Sequence, residues 1–67
     1  MIIELNNRIE TLEADQLTVN ELLEWKNFTF RMLVIKINGR LVKKDQYKTT
    51  RINDGDKVMV LHLVSGG

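Results

Sequence analysis

The sequence predicts an α+β domain, a mixed sheet of four to five strands packed on one short helix. Three observations predict it. Apolar residues alternate at period two near the start, in the middle and near the end of the chain, as in half-buried strands. Only LTVNELLEWK carries a set of helix-start signals. The pairs Asn6-Asn7 and Asn38-Gly39 each interrupt an alternating run, and both suit the positive φ of a two-residue hairpin turn. A lone short helix is unstable in water, so its apolar stripe must lie on the sheet.

In MIIELNNRIETLEA, Met1, Ile3 and Leu5 alternate with Ile2 and Glu4, and Asn6-Asn7 turns the chain back. Ile9 and Leu12 fall on opposite faces of the return strand under strict alternation, so a bulge or an early end to pairing is expected. Thr18 then caps a helix, with Glu21 completing a capping box and Leu17 and Leu22 placed for a hydrophobic staple. Val19, Leu22 and Leu23 form the apolar stripe, Asn20, Glu21 and Glu24 face water, and the helix ends near Lys26-Asn27. Trp25 lies off the stripe and is expected half-exposed at the core edge.

RMLVIKINGRLVKK is a second hairpin, with Leu33, Ile35 and Ile37 alternating with Met32, Val34 and Lys36 about the Asn38-Gly39 turn. DQYKTTRI is a polar connection without a clear period, and the four residues from Asn53 to Asp56 form a turn. The final strand, KVMVLHLV, is apolar on both faces except at Lys57 and His62. Val58 and Val60 are assigned to the helix side, which leaves Met59, Leu61 and Leu63 on the other face. An exposed apolar patch of this kind marks a docking surface, here Met59, Leu61, Leu63 and Val34, unless the loop from Asp45 to Ile52 covers it. His62 is expected as a partly exposed strand residue.

At 67 residues the chain is one domain, and 43% hydrophobic residues suffice for one small core. The absence of cysteine excludes a disulfide scaffold, a cysteine-ligated metal site and a cysteine nucleophile, and favours the cytoplasm. No stretch reaches the length of a membrane span, and no signal peptide opens the sequence. Charge is divided unevenly. Residues 1–25 hold Arg8 against six acids, a net of −5, and residues 26–67 hold nine bases against three acids, a net of +6. Arg40, Lys43, Lys44, Lys48 and Arg51 read as a solvated strand edge, with steering toward an acidic partner surface as the alternative. With one histidine and no ligand cluster, no catalytic or metal site is expected. Gly39 and Gly55 fall in turns, so there is no phosphate-cradling glycine loop. Asp54-Gly55-Asp56 lacks the rest of a calcium loop.

The opening MIIELNN, the LTVNELL helix start, the VIKINGRLV hairpin and the closing INDGDKVMVLHLVSGG together resemble the thiamine-pathway sulfur carriers, the ThiS family. The resemblance spans nearly the whole chain. It implies a ubiquitin-like β-grasp domain over 1–64 and a flexible C-terminal tail over 65–67. It further implies that the carboxylate of Gly67 is adenylated by a ubiquitin-activator-like enzyme using Mg and ATP. Conversion to a thiocarboxylate follows, and sulfur is passed to thiazole synthase. Gly66 and Ser65 would enter the partner's active site, with Ser65 standing where the family often has Gly or Ala. Glycine suits such a tail because the backbone can approach a nucleotide closely. The chain would bind no cofactor itself, and neither nucleic acid nor membrane would be a partner. Three alternatives stand beside this reading. One is a sulfur carrier for molybdopterin or another product, and another is a ubiquitin-like modifier joined to lysines through Gly67. The third is a binding module with no tail chemistry.

Overall fold

The structure, a computed structural model, describes residues 1–28 and 32–62. β1 (Ile2–Leu5) and β2 (Arg8–Thr11) form the first hairpin, β3 (Leu17–Thr18) leads into α1 (Val19–Trp25), and β4 (Leu33–Ile37) and β5 (Arg40–Val42) form the second hairpin. A 3-10 turn at Lys44–Gln46, β6 (Arg51–Ile52) and β7 (Lys57–His62) follow. β2, β1, β7, β4 and β5 lie side by side in that order, so the last strand runs through the middle of a five-stranded sheet. β7 is parallel to β1 and antiparallel to β4, which makes the sheet mixed, as expected.

Both hairpin turns follow from their residues. Asn6 and Asn7 take φ of 50° and 67°, and Asn38 and Gly39 take 51° and 83°, the left-handed values of a two-residue turn that matches strand twist. Of the two outcomes expected for β2, the bulge is absent and the early end to pairing is found. Pairing runs evenly from Leu5 opposite Arg8 to Ile2 opposite Thr11, and the strand ends there. Regular alternation puts Leu12 on the core side, against which it packs, while its N–H donates to the Met1 carbonyl at 2.9 Å. Ile9 points away from the core and is 68% exposed, since among the described residues no second layer covers that face.

α1 begins as the capping box requires. The Glu21 N–H donates to Thr18 Oγ1 at 3.1 Å, and the Thr18 N–H donates to Glu21 Oε1 at 2.8 Å. It ends in a Schellman turn. Asn27 at φ 56° sends its N–H to the Glu24 carbonyl, and Phe28 sends its N–H to the Leu23 carbonyl at 2.8 Å. The Lys26 ammonium, favoured at the negative helix end, pairs with Glu10 of β2 at 2.9 Å and stands 4.7 Å from the Trp25 ring centre. Trp25 is half-exposed, as expected.

The core joins Val19, Leu22 and Leu23 of α1 to Ile3, Leu5, Ile35, Val42, Val58 and Val60 of the sheet, with Leu17 and Ile52 closing one side. Among the described residues no polar side chain is buried. The two-stranded pair of β3 and β6, with Leu17 opposite Ile52 and Thr18 opposite Arg51, has no counterpart in the sequence reading. Two-residue strands are too short to display a period.

Candidate functional site

The site is built at the outlet of β7, whose last described residue, His62, stands five positions before Gly67. Its start is anchored by a side-chain network. Asp56 accepts from the Asn53 N–H at 2.9 Å and from Asn38 Nδ2 at 3.0 Å, and Asn38 Oδ1 accepts from the Lys57 N–H at 2.9 Å. Gly55, at φ 86°, turns the chain and donates its N–H to the Ile2 carbonyl, while Asp54 Oδ1 accepts from the Ile2 N–H. The acidic turn is therefore a clasp between β1, β7 and the second hairpin, and its oxygens are spent on backbone and amide donors. The structural reading of Asp54-Gly55-Asp56 holds.

Farther along, β1 runs out at Leu5, opposite Val58. Asn6 then takes over its role. Its main-chain N–H donates to the Val58 carbonyl at 2.9 Å. Its side-chain amide meets Val60 twice, with Nδ2 donating to the Val60 carbonyl at 3.1 Å and Oδ1 accepting from the Val60 N–H at 2.7 Å. A primary amide carries the same donor and acceptor as a peptide unit. Asn6 thus adds a rung to the parallel ladder after the chain itself has turned away. Sequence reasoning saw Asn6 only as a turn former. Its second role depends on a partner 54 positions away, and no local pattern signals it.

The faces of β7 divide as the alternation predicts. Val58 and Val60 are buried under α1. On the other face Leu61 is 44% exposed and stands opposite Val34, and half-buried Met59 stands opposite Lys36. Met32, just before β4, is exposed as well. The loop from Asp45 to Ile52 does not cover this patch. It packs on the helix side, where the Val19 N–H donates to the Thr50 carbonyl at 3.0 Å and the Asn20 N–H to the Tyr47 carbonyl at 2.8 Å. Partial burial in that loop pushes the Tyr47 phenol pKa above its ordinary value. His62 is an exposed strand residue opposite Leu33, as expected. Leu63, Ser65, Gly66 and Gly67, and with them the tail over 65–67, lie outside the described residues.

The two charge halves meet at Lys26 with Glu10, and again at Lys57 with Glu4, 3.6 Å apart across β7 and β1. Among the described residues no group of three His, Asp or Glu side chains could hold a metal ion, and no helix is long and apolar enough to cross a membrane.

The sequence pattern of the ThiS family matches residues 2–67, a span that includes the clasp, all of β7 and the Gly66-Gly67 end. The chain belongs to the ThiS family. The fold agrees. The crystal structure of the thiamine biosynthesis protein (ThiS) from Geobacter metallireducens superposes with a TM-score of 0.90 at 28% identity, covering 100% of both chains. The NMR solution structure of a thiamine biosynthesis protein from Geobacter metallireducens gives a TM-score of 0.75 at 27% identity, over 100% of this chain and 88% of that one. A curated relative, Uncharacterized protein ycf40 of Porphyra purpurea, is 33% identical over 54 residues, 81% of this chain and 76% of its own. The domain is thus a ubiquitin-like β-grasp, and ThiS membership makes it a sulfur carrier of the ThiS type.

Proposed function

We propose that this ThiS-family chain carries sulfur as a thiocarboxylate on Gly67 and delivers it for thiazole formation in thiamine biosynthesis. One observation carries the reading: the family match runs through Gly67 on a scaffold whose central strand leads toward that residue. A carboxylate is a poor electrophile. An adenylating enzyme of the ubiquitin-activator type, holding Mg and ATP, joins the Gly67 carboxylate oxygen to the α-phosphorus and releases pyrophosphate. Sulfide then attacks the acyl carbon and AMP leaves with the electron pair, giving the thiocarboxylate. A persulfide in the same role leaves an acyl disulfide, which a thiol reductant must cleave.

The chain's contribution is presentation rather than catalysis. The Asp56–Asn38 clasp holds the start of β7 and the Asn6 rung holds it again at Val60, so the strand that precedes the tail in sequence is a fixed stem. Gly66 and Ser65, being small, let the end enter the activating site and afterwards that of thiazole synthase. Met59, Leu61, Leu63 and Val34 supply the apolar docking face, whose burial offsets the entropy lost when the tail is ordered, about 1–2 kcal/mol per residue. The reaction belongs in the cytoplasm, where ATP and reduced sulfur are available.

Incubating the chain with its activating enzyme, MgATP and sulfide tests this directly. A thiocarboxylate should form on the intact chain and not on a variant lacking Gly66 and Gly67. Equal sulfur loading of the truncated variant would overturn the assignment. An isopeptide bond from Gly67 to protein lysines in cells, without free thiocarboxylate, would favour the modifier reading instead.

A further inference from the structure

We propose that the groove beside β5 is a docking site for an extended acidic peptide segment of another protein. This inference goes beyond the sulfur-carrier reading and does not depend on it. The groove is an open hollow of about 610 Å³ whose lining includes Ile37, Arg40, Leu41, Val42, Gln46 and Arg51.

Three independent features of the groove match one occupant. First, among the described residues β5 ends the sheet and has a strand neighbour on one side only. Ile37 and Arg40 close the hairpin as a facing pair, so the intervening alternation turns the Leu41 N–H and C=O away from β4. Those groups are a template for an added strand. Second, the electrostatics are one-sided. Residues 40–52 hold Arg40, Lys43, Lys44, Lys48 and Arg51 against Asp45. Neither arginine is in an ion pair among the described residues. Arg51 is held in place by Gln16, whose Oε1 accepts from Nη1 at 3.0 Å, which leaves further guanidinium donors for a carboxylate. Third, Leu41 is 58% exposed at the groove wall. A solvated edge of lysines would need neither an apolar wall nor two arginines lining one hollow. Arg40, Lys43, Lys44, Lys48 and Arg51 are all exposed, as a solvated edge requires. The proposal adds a docking role for Arg40 and Arg51, which line the groove, and not for the three lysines, which do not.

The occupant that satisfies all three is a strand in which acidic and apolar residues alternate. Its carboxylates meet the two arginines on one face, and its apolar side chains meet Leu41 on the other. A nucleic acid fits less well, because among the described residues no aromatic side chain lines the groove to stack a base. A small anion would use the arginines and leave the strand edge and the apolar wall idle.

The test is an amide-shift NMR titration of the full chain with the acetylated, amidated hexapeptide Glu-Leu-Asp-Val-Glu-Val. The proposal expects shifts over residues 37–42 and 46–51, with slowed exchange of the Leu41 amide as a new strand bond forms. The double variant Arg40→Glu and Arg51→Glu should weaken binding by at least about tenfold with the rest of its spectrum unchanged. If that variant does not fold, Arg40→Gln alone should weaken it by about threefold. The same peptide with lysine in place of its acids should not bind. The proposal is overturned by no shift up to about 5 mM peptide, or by shifts confined to Val34, Met59 and Leu61. Equal shifts from inorganic phosphate or from a single-stranded oligonucleotide overturn it too, the first indicating a simple anion site and the second a nucleic-acid site.

Discussion

At the scale of single residues, asparagine does more in this chain than the sequence alone discloses. Asn6, Asn7, Asn27 and Asn38 all take positive φ, a conformation asparagine tolerates better than most residues. That much is legible, since Asn-Asn and Asn-Gly between alternating runs have few other readings. The tertiary bonds of Asn6 and Asn38 are not legible, because each joins positions far apart in sequence. Replacing Asn6 by alanine removes both side-chain bonds to Val60 and should lower unfolding stability by about 1–2 kcal/mol, measured by urea denaturation. Asn6→Asp should cost more, because a carboxylate cannot donate to the Val60 carbonyl and repels it. Stability unchanged in both variants would mean that the added rung is not holding β7. Gly39 gives a contrasting case. Its Cβ position is open, yet φ is +83°. Gly39→Ala should therefore cost about 1–2 kcal/mol from backbone strain alone, without steric rearrangement.

At the scale of elements, α1 was the most readable piece. Its box, staple and stripe are all local, and Thr18, Glu21 and Leu22 stand where the spacing put them. Thr18→Ala should destabilise the domain by about 1 kcal/mol, seen as a lowered thermal midpoint. The helix ends near Lys26-Asn27, as its pattern predicts, but the form of the exit is not local, since the Schellman turn depends on Phe28 reaching the core. The β3–β6 pair was not readable at all. Arg51 and Ile52 sit in a polar stretch where one buried isoleucine carries the whole signal. The neighbouring loop also has a titration signature. Burial raises the Tyr47 pKa above its unfolded value of 10.0, so the unfolded chain loses the phenolic proton first. Its contribution to stability is then full below pH 10 and declines as pH rises through the raised folded value. Alkaline unfolding of the wild type and of Tyr47→Phe should diverge in that range, the phenylalanine variant showing the shallower decline.

At the scale of the whole molecule, the sheet has one face under α1 and, among the described residues, one face open, and β7 is apolar toward both. The sequence disclosed this duality, because Val58, Met59, Val60 and Leu61 leave neither face polar. It could not say where the loop over residues 45–52 would lie, since that depends on Ile52 pairing beside Leu17 on the helix side. With Leu61 exposed and Met59 partly so, changing both to serine should leave folding intact while raising the KM for the activating enzyme by about tenfold or more, with kcat little altered. An unchanged KM would move the docking face elsewhere on the molecule. The most direct measurement is the intact mass of the chain isolated from cells that make their own thiamine. The account predicts a species heavier by one oxygen-to-sulfur exchange, with the change confined to the fragment ending at Gly67. Only the unmodified carboxylate, in cells whose thiamine synthesis demonstrably depends on this chain, would contradict it.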